Sequence, residues 1–553
     1  MREPALPELG QLAQVDLLGG PPRSRIELGA LRQCLTFAFS SGGIQDELAR
    51  ALAEAQPGPT LWSSDCFAED LFLGPLIERC LWRGRGAPRS SASVGVRRYL
   101  LAVLGAPPHG PQAPSLLAFR QAISAELDGN SAVSDCVTAF VSRCEALFEL
   151  LEAGGVGLRL DPIRRGLDIL AALRDLIAAT ACFEPCASGL RRIADWGRAV
   201  RASPGFARLN ALLEYDEHAT VVQLDVRLGR EGDIRGLDVV RIQDNAQNPF
   251  HVSPWRRLWG SLGLLLRGVR VRRDEVFGRL VHDTFDAVMP VIPMLLQLLG
   301  DLELYRLGSA LARFARERGL AVCLPSFGPG ERRLQDLFNP FLLLEEHPPR
   351  PCDLSTQGIV VITGPNSGGK TRLLQALGIC QVLGQAGLFV PARSARLPWQ
   401  DGLFASLSLT PEVDQREGRL GTELLRIRRM FEQLEVGSLV LVDELCSGTN
   451  PAEAEELFRM VLELLLELSA HAFVTTHFLE FTSRLEAALP LPGLEFLRVG
   501  LDADHRPTYR FEPGVAPSAL AQATARRLGV TQNELTGLVQ AARERKRLRE
   551  QDR

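Results

Sequence analysis

Apolar residues recur at three-to-four spacing through residues 98–104, 133–151 and 166–177, the period of helices with one buried face. Gly and Pro clusters at 105–114 and 154–157 break this helical region, which runs from about residue 69 to residue 205. At 219–242 the period drops to two. Val221, Gln223, Asp225 and Arg227 alternate with Val222, Leu224, Val226 and Leu228, residues 229–232 form a turn, and 237–242 return, which predicts a β-hairpin set among helices. A helical stretch follows over 273–318, which Pro290 and Pro293 must kink or break. From residue 359 onward, short β-branched runs at 359–363, 439–442 and 473–475 alternate with helical segments. They predict buried parallel strands in an α/β domain.

The pattern divides the chain into a first segment, 1–68, with no assignment; a mainly helical core at 69–330 carrying the β insertion near 219–250; an α/β domain at 331–530; and a charged helix at 531–553. With 553 residues, several structural units are expected, each able to bury a core. A hydrophobic content of 46% with 23% charged residues is ordinary globular composition. The most apolar stretch, 287–299, is short and holds Pro290, Pro293 and Gln297, so it reads as a buried helix and no membrane partner is expected. Residues 1–10 carry two glutamates and no basic-then-apolar pattern, so a cytoplasmic address is expected. The 11 cysteines are scattered; the tightest pair, Cys182 and Cys186, has no second pair or histidine beside it and reads as reduced core thiols.

Of 62 basic residues only Lys370 and Lys546 are lysine. Arginine serves almost everywhere, so Lys370 calls for a chemical reason. It stands in Gly364-Pro365-Asn366-Ser367-Gly368-Gly369-Lys370-Thr371, a GxxxxGK[ST] loop between the strand 359–363 and an amphipathic helix. Glycines let backbone N–H groups and the helix N-terminus face phosphates, and a compact ammonium reaches the β and γ oxygens. Thr371 would place its hydroxyl on Mg²⁺. Further on, the apolar run 438–442 ends in Asp443 and Glu444: Asp443 suits a Mg²⁺ ligand and Glu444 a group that polarises the attacking water. His477, at the tip of the next strand, suits contact with the γ-phosphate or its water. ATP and Mg²⁺ are the cofactors implied, with Lys370, Glu444 and His477 as catalytic candidates.

Thr363 to Thr371, Asp443-Glu444-Leu445-Cys446-Ser447-Gly448-Thr449 and Thr475-Thr476-His477 together resemble the Walker A, Walker B with D-loop, and histidine switch of the MutS family. Asn339-Pro340-Phe341-Leu342 resembles that family's lead-in, and 507–516 with 525–529 its C-terminal hairpin and helix. The resemblance covers about 339–530. It implies an ABC-type ATPase domain that dimerises through its own kind, each site completed by the partner's signature loop, with lever helices acting on a DNA clamp. Two features depart from the pattern: the signature reads Gly418-Arg419-Leu420-Gly421-Thr422-Glu423, with Leu420 where a serine is usual, and Phe67-Ala68-Glu69 matches the mismatch wedge only by its letters. The expected protein is thus a divergent member without the mismatch-reading module or an Smr tail.

Net charge is −4, yet residues 251–273 carry Arg256, Arg257, Arg267, Arg270, Arg272 and Arg273 without one acid and include Trp255 and Trp259. Arginines with aromatic interleaving suit sequence-independent contact with a nucleic-acid backbone; a solvated helix face is the plain alternative. The sequence therefore predicts a homodimeric, DNA-binding ATPase of MutS type acting in DNA repair. A regulatory ATPase of the same class, acting on a protein partner, stands as the alternative.

Overall fold

The computed structural model describes all residues except 1–14, 21–22, 42–43, 45, 56, 59, 63–65, 83–90, 153–161, 219, 229–233, 245–272, 346–348, 408–417, 447–450, 489–492, 505, 518–531 and 552–553. For residues 41, 66–67, 91–93, 162, 215–218, 220–228, 234–244, 273–277, 344, 418–420, 422, 451–452 and 546–551 it describes the backbone alone. The chain forms two compact units. The first comprises Met1–Pro57, Trp82–Leu100 and Ala118–Arg306; the second comprises Gly58–Leu81, Leu101–Leu117 and Leu307–Arg553. These units are not the consecutive blocks that periodicity suggests, because two early segments pack with the C-terminal half. Trp62, for example, pairs in parallel with Leu403, and its indole N–H donates to the carbonyl of Leu104.

The first unit is helical, with one hairpin. Ser131–Glu152 buries Val133, Val137, Phe140, Val141, Cys144, Leu147, Phe148 and Leu151, the stripe its sequence predicts. The hairpin forms as expected: β1 (Thr220–Leu228) pairs antiparallel with β2 (Ile234–Asp244), with register shifts at Gln223/Leu224 and Arg227/Leu228. The proline break is confined to one 3-10 turn, Met289–Val291, between the helices Arg273–Val288 and Ile292–Glu317. Pro293 falls at the second position of the later helix, where a missing N–H costs no intrahelical bond. The stretch Gly278–Glu317 is long and apolar enough to cross a membrane by length and composition, but 89% of its apolar window is buried in the protein.

Arginine takes structural work in this unit. Arg25 donates through Nη1 to Asp16 at 2.7 Å and through Nη2 to both oxygens of Asp301 at 2.7 and 2.6 Å, all three side chains being almost fully buried. Burial opposes the Arg25 charge, but Asp301, Tyr99 and Asp16 outweigh it and hold the guanidinium protonated. A buried pair is stabilising only when its remaining hydrogen bonds are made. Here Leu17 N–H donates to Asp301, Tyr99 OH donates to the same carboxylate, and Gln297 bonds the backbone of Val15, Arg23 and Arg25. One cysteine expectation fails. Cys182 is exposed and forms a disulfide with Cys136, 46 residues away, while its near neighbour Cys186 is free and buried.

The second unit is an α/β fold. Its main sheet has the order β12-β11-β6-β10-β9-β8, from β6 (Ile359–Thr363), β8 (Leu403–Ser406), β9 (Leu439–Val442), β10 (His471–Thr475), β11 (Leu494–Leu501) and β12 (Pro507–Pro513). All neighbours run parallel except β12, which turns back on β11. Ile359, Val361, Val440, Val442, Ala472 and Val474 form one core with Phe458, Val461, Leu462 and Leu465 of the helix Pro451–Glu467. The opposite face takes the helix Lys370–Gln385, which comes so close that a side chain at Gly378 would meet Leu441 and Leu71 within 3 Å. Strands buried on both faces explain the unbroken β-branched runs in the sequence. A smaller sheet, order β3-β7-β4-β5, adds β3 (Ser326–Phe327), β4 (Arg332–Leu337), β5 (Cys352–Thr356) and β7 (Ser394–Leu397).

At the start of β10, burial and then the charge of Arg332 push the His471 imidazole down to about 4. An unfolded chain titrates such a group near 6.5. Between about pH 6.5 and 4 the unfolded chain therefore gains a proton that the fold refuses, so stability falls as pH drops through that window. We expect His471→Gln to remove part of this acid sensitivity. Urea midpoints at pH 7 and pH 5 check it: the wild type should lose more between the two than the variant, and equal losses would contradict the assignment.

Candidate nucleotide-binding site

β6 sits between β11 and β10, and β10 sits between β6 and β9. The register sets Ile362 against Thr475 and Val474 against Val442, so the residues that leave β6, β9 and β10 emerge side by side at one edge of the sheet. These are Gly364, Asp443 and Thr476. Three motifs far apart in sequence thus meet because parallel strands deliver their C-terminal ends to the same edge.

The glycine-rich loop depends on two backbone positions. Gly364 has φ +141° and would bring a side chain within 2.7 Å of Val499; Gly369 has φ +86° at the start of the helix Lys370–Gln385. Neither conformation suits a residue with a Cβ. Inside the loop the Lys370 ammonium donates to the carbonyls of Gly364 at 2.9 Å and Pro365 at 3.1 Å. Burial lowers its pKa, against the pull of Asp443 and Glu444. The helix N-terminus and the lysine therefore lie in one loop, an arrangement suited to an anion.

Asp443 uses both carboxylate oxygens. Thr371 donates to Oδ2 and Thr475 donates to Oδ1, so the glycine-rich loop and the tip of β10 are tied through one side chain. Thr475 Oγ1 also accepts the backbone N–H of Glu444 at 2.8 Å. A hydroxyl and a carboxylate are hard oxygen donors, the kind that Mg²⁺ takes one or two of beside phosphate oxygens. The residues fit that ion; no cluster of three or more His, Cys, Asp or Glu that could hold a metal exists among the described residues.

Gly364 to Thr371, Asp443 and Glu444 lie together at this sheet edge. His477 is exposed just past β10, its ring 4.8 Å from that of Phe478. Asn339 caps the 3-10 turn Pro340–Leu344, accepting from Phe341 N–H at 3.0 Å, and its Nδ2 donates to the Arg372 carbonyl at 3.0 Å, which fastens the lead-in to the loop helix. The residues 507–516 form β12 and its exit, and Ala516 N–H reaches Thr363 Oγ1 at 2.9 Å. Gly418 opens the helix Gly418–Gln433. Arg256, Arg257, Arg267, Arg270 and Arg272 lie outside the described residues, as do Ser447 to Asn450 and 525–529. Arg273 begins a helix, but its side chain is not among those described.

Sequence reasoning missed Thr475 as a partner of Asp443, and it read Glu423 only as part of the signature. Glu423 and Arg426 are in fact buried beside the acidic pair. Their one sequence signal is opposite charges three apart on a helix with a strong apolar face.

Residues 360–540 match the MutS domain V. The chain is 34% identical over 275 residues to the endonuclease MutS2 of Thermus thermophilus, covering 49% of this chain and 35% of that protein. Against the endonuclease MutS2 of Thermomicrobium roseum identity is 38% over 177 residues, 32% of this chain and 22% of the relative. Against that of Streptococcus equi subsp. equi it is 30% over 308 residues, 53% and 37%. The matches therefore span little more than a third of these relatives' length at most. The similarity to the MutS family is thus carried by its domain V, over residues 360–540.

Proposed function

We propose that this protein is an ATP-dependent DNA-binding protein of MutS type, in which ATP binding and hydrolysis at the ABC-type domain switch its grip on duplex or branched DNA in DNA repair. The observation that carries the reading is the meeting of Lys370, Thr371, Asp443 and Glu444 at one sheet edge, joined by the Thr371–Asp443–Thr475 hydrogen bonds. Domain V of the MutS family and the endonuclease MutS2 relatives support it.

In the mechanism, the backbone N–H groups of Gly364 to Gly369 and the helix N-terminus hold the phosphates, while Lys370 turns its ammonium from the loop carbonyls to the β and γ oxygens. Thr371 and Asp443 would hold Mg²⁺, which would neutralise charge on the transferred phosphoryl group. Glu444 orients the attacking water and accepts its proton. His477 meets the γ-phosphate or that water and reports its loss. Two chains pair through their ATPase domains in this reading, each completing the other's site.

Lys370→Ala is expected to abolish ATP binding or turnover. Glu444→Gln should bind ATP with near wild-type affinity and lose about 10²–10⁴-fold in kcat, the usual weight of a general base. Nucleotide binding by fluorescence and turnover by phosphate release check both; unchanged turnover in the two variants would refute the assignment.

DNA affinity should fall steeply with salt. If all six arginines of 251–273 neutralise phosphates, the log–log slope on duplex DNA reaches about −5, and Arg256→Ala with Arg257→Ala should lessen it by roughly 2. A titration on homoduplex, mismatched and branched DNA, with and without ATP, reads this out. No binding to any of them at low salt would favour the regulatory ATPase acting on a protein partner.

A further inference from the structure

Glu444 has φ +51° and Cys446 φ +62°, a left-handed backbone that residues with a Cβ rarely adopt. Such a turn persists only where its surroundings over-determine it. Three pins do so here. Ahead of Glu444, Arg426 Nη2 donates to the Asp443 carbonyl at 2.9 Å. At Glu444 itself the N–H is held by Thr475. Beyond it, the Cys446 N–H donates to Glu423 Oε2 at 3.2 Å.

Two of the three pins come from one helix, Gly418–Gln433, and from one pair of side chains. Arg426 Nη1 lies 3.5 Å from Glu423 Oε1, and both side chains are about nine-tenths buried. The same guanidinium also grips the end of β8, through Nε to Ser406 Oγ at 2.8 Å and Nη2 to the Ser406 carbonyl at 2.7 Å. Asp443 N–H in turn donates to that carbonyl at 3.0 Å. A planar fork with several fixed donors can span two strand ends in this way; a point-charge ammonium cannot. Glu423 balances the buried charge and spends its second oxygen on the turn.

We propose that Glu423 and Arg426 are positioning residues for ATP hydrolysis: they clamp the backbone on either side of Glu444 and so aim its carboxylate at the water. The proposal rests on the reading of Glu444 as the group that activates that water. A movement of the Gly418–Gln433 helix then changes hydrolysis without touching the phosphate-binding loop, because the clamp reaches Glu444 through the main chain.

The experiment compares wild type, Arg426→Ala, Arg426→Lys, Glu423→Gln and Glu444→Gln for ATP affinity and for kcat, and adds the double variant Arg426→Ala with Glu444→Gln. The expected result is a loss of about 10- to 100-fold in kcat for Arg426→Ala with ATP affinity within about twofold of wild type. Arg426→Lys should recover part of that loss. In the Glu444→Gln background, Arg426→Ala should cost nothing more, since both act through one carboxylate. Wild-type kcat in Arg426→Ala, or a full additional loss in the double variant, overturns the proposal. Should Arg426→Ala not fold, Glu423→Gln keeps the shape of the side chain and must show the same kcat-only loss, and wild-type kcat there is equally fatal. A Glu444→Gln protein that turns over like wild type is a separate outcome: it sinks the hydrolysis reading itself, and the positioning role with it.

Discussion

The carboxylate of Asp443 is the interaction on which the rest of the site depends. It is bonded both to the helix that leaves the glycine-rich loop, through Thr371, and to the strand that leads to His477, through Thr475. A carboxylate can accept from several donors at once, and here each oxygen serves a different element. Thr475 carries the connection one step further by accepting from the backbone of Glu444. Glycine-rich loop, metal-ligand candidate and water-activating candidate thus share a chain of three side chains, and none can shift without altering the next.

That chain exists because of strand order. β6, β10 and β9 are neighbours in the sheet although β9 and β10 follow β6 by more than seventy residues, so loops remote in sequence are delivered to one edge. Burial on both faces fixes the strands in place: the helix Lys370–Gln385 covers one side and Pro451–Glu467 the other. Nucleotide binding at such an edge would displace hydroxyl and ammonium bonds that already point inward, not recruit groups from a distance. The preformed arrangement therefore lowers the reorganisation that the reaction requires.

What the sequence made legible was local. The loop Gly364 to Thr371, the acidic pair and the hairpin β1–β2 each announce themselves within one short contiguous stretch, by spacing or by alternation. What it hid was tertiary. Thr475 is an ordinary strand-end residue until β10 is set beside β9, and the bonds of Arg426 to the carbonyls of Ser406 and Asp443 join three elements that only the folded sheet brings together. Cys182 reads in the sequence as a reduced core thiol, like Cys186, but it bonds to Cys136 because the turn Thr180–Phe183 packs against the helix Ser131–Glu152. Trp62 could not be assigned to the C-terminal half for the same reason: its strand partner, Leu403, lies more than three hundred residues away.

The central claim is that Thr371 and Asp443 form the Mg²⁺ site of an ATP-binding centre. Calorimetric titration of ATP with and without Mg²⁺ tests it most directly, on wild type, Thr371→Val and Asp443→Asn. The account predicts that Mg²⁺ tightens ATP binding in the wild type and that both variants lose this increment while keeping their Mg²⁺-free affinity within about twofold. An unchanged Mg²⁺ increment in Asp443→Asn would contradict it.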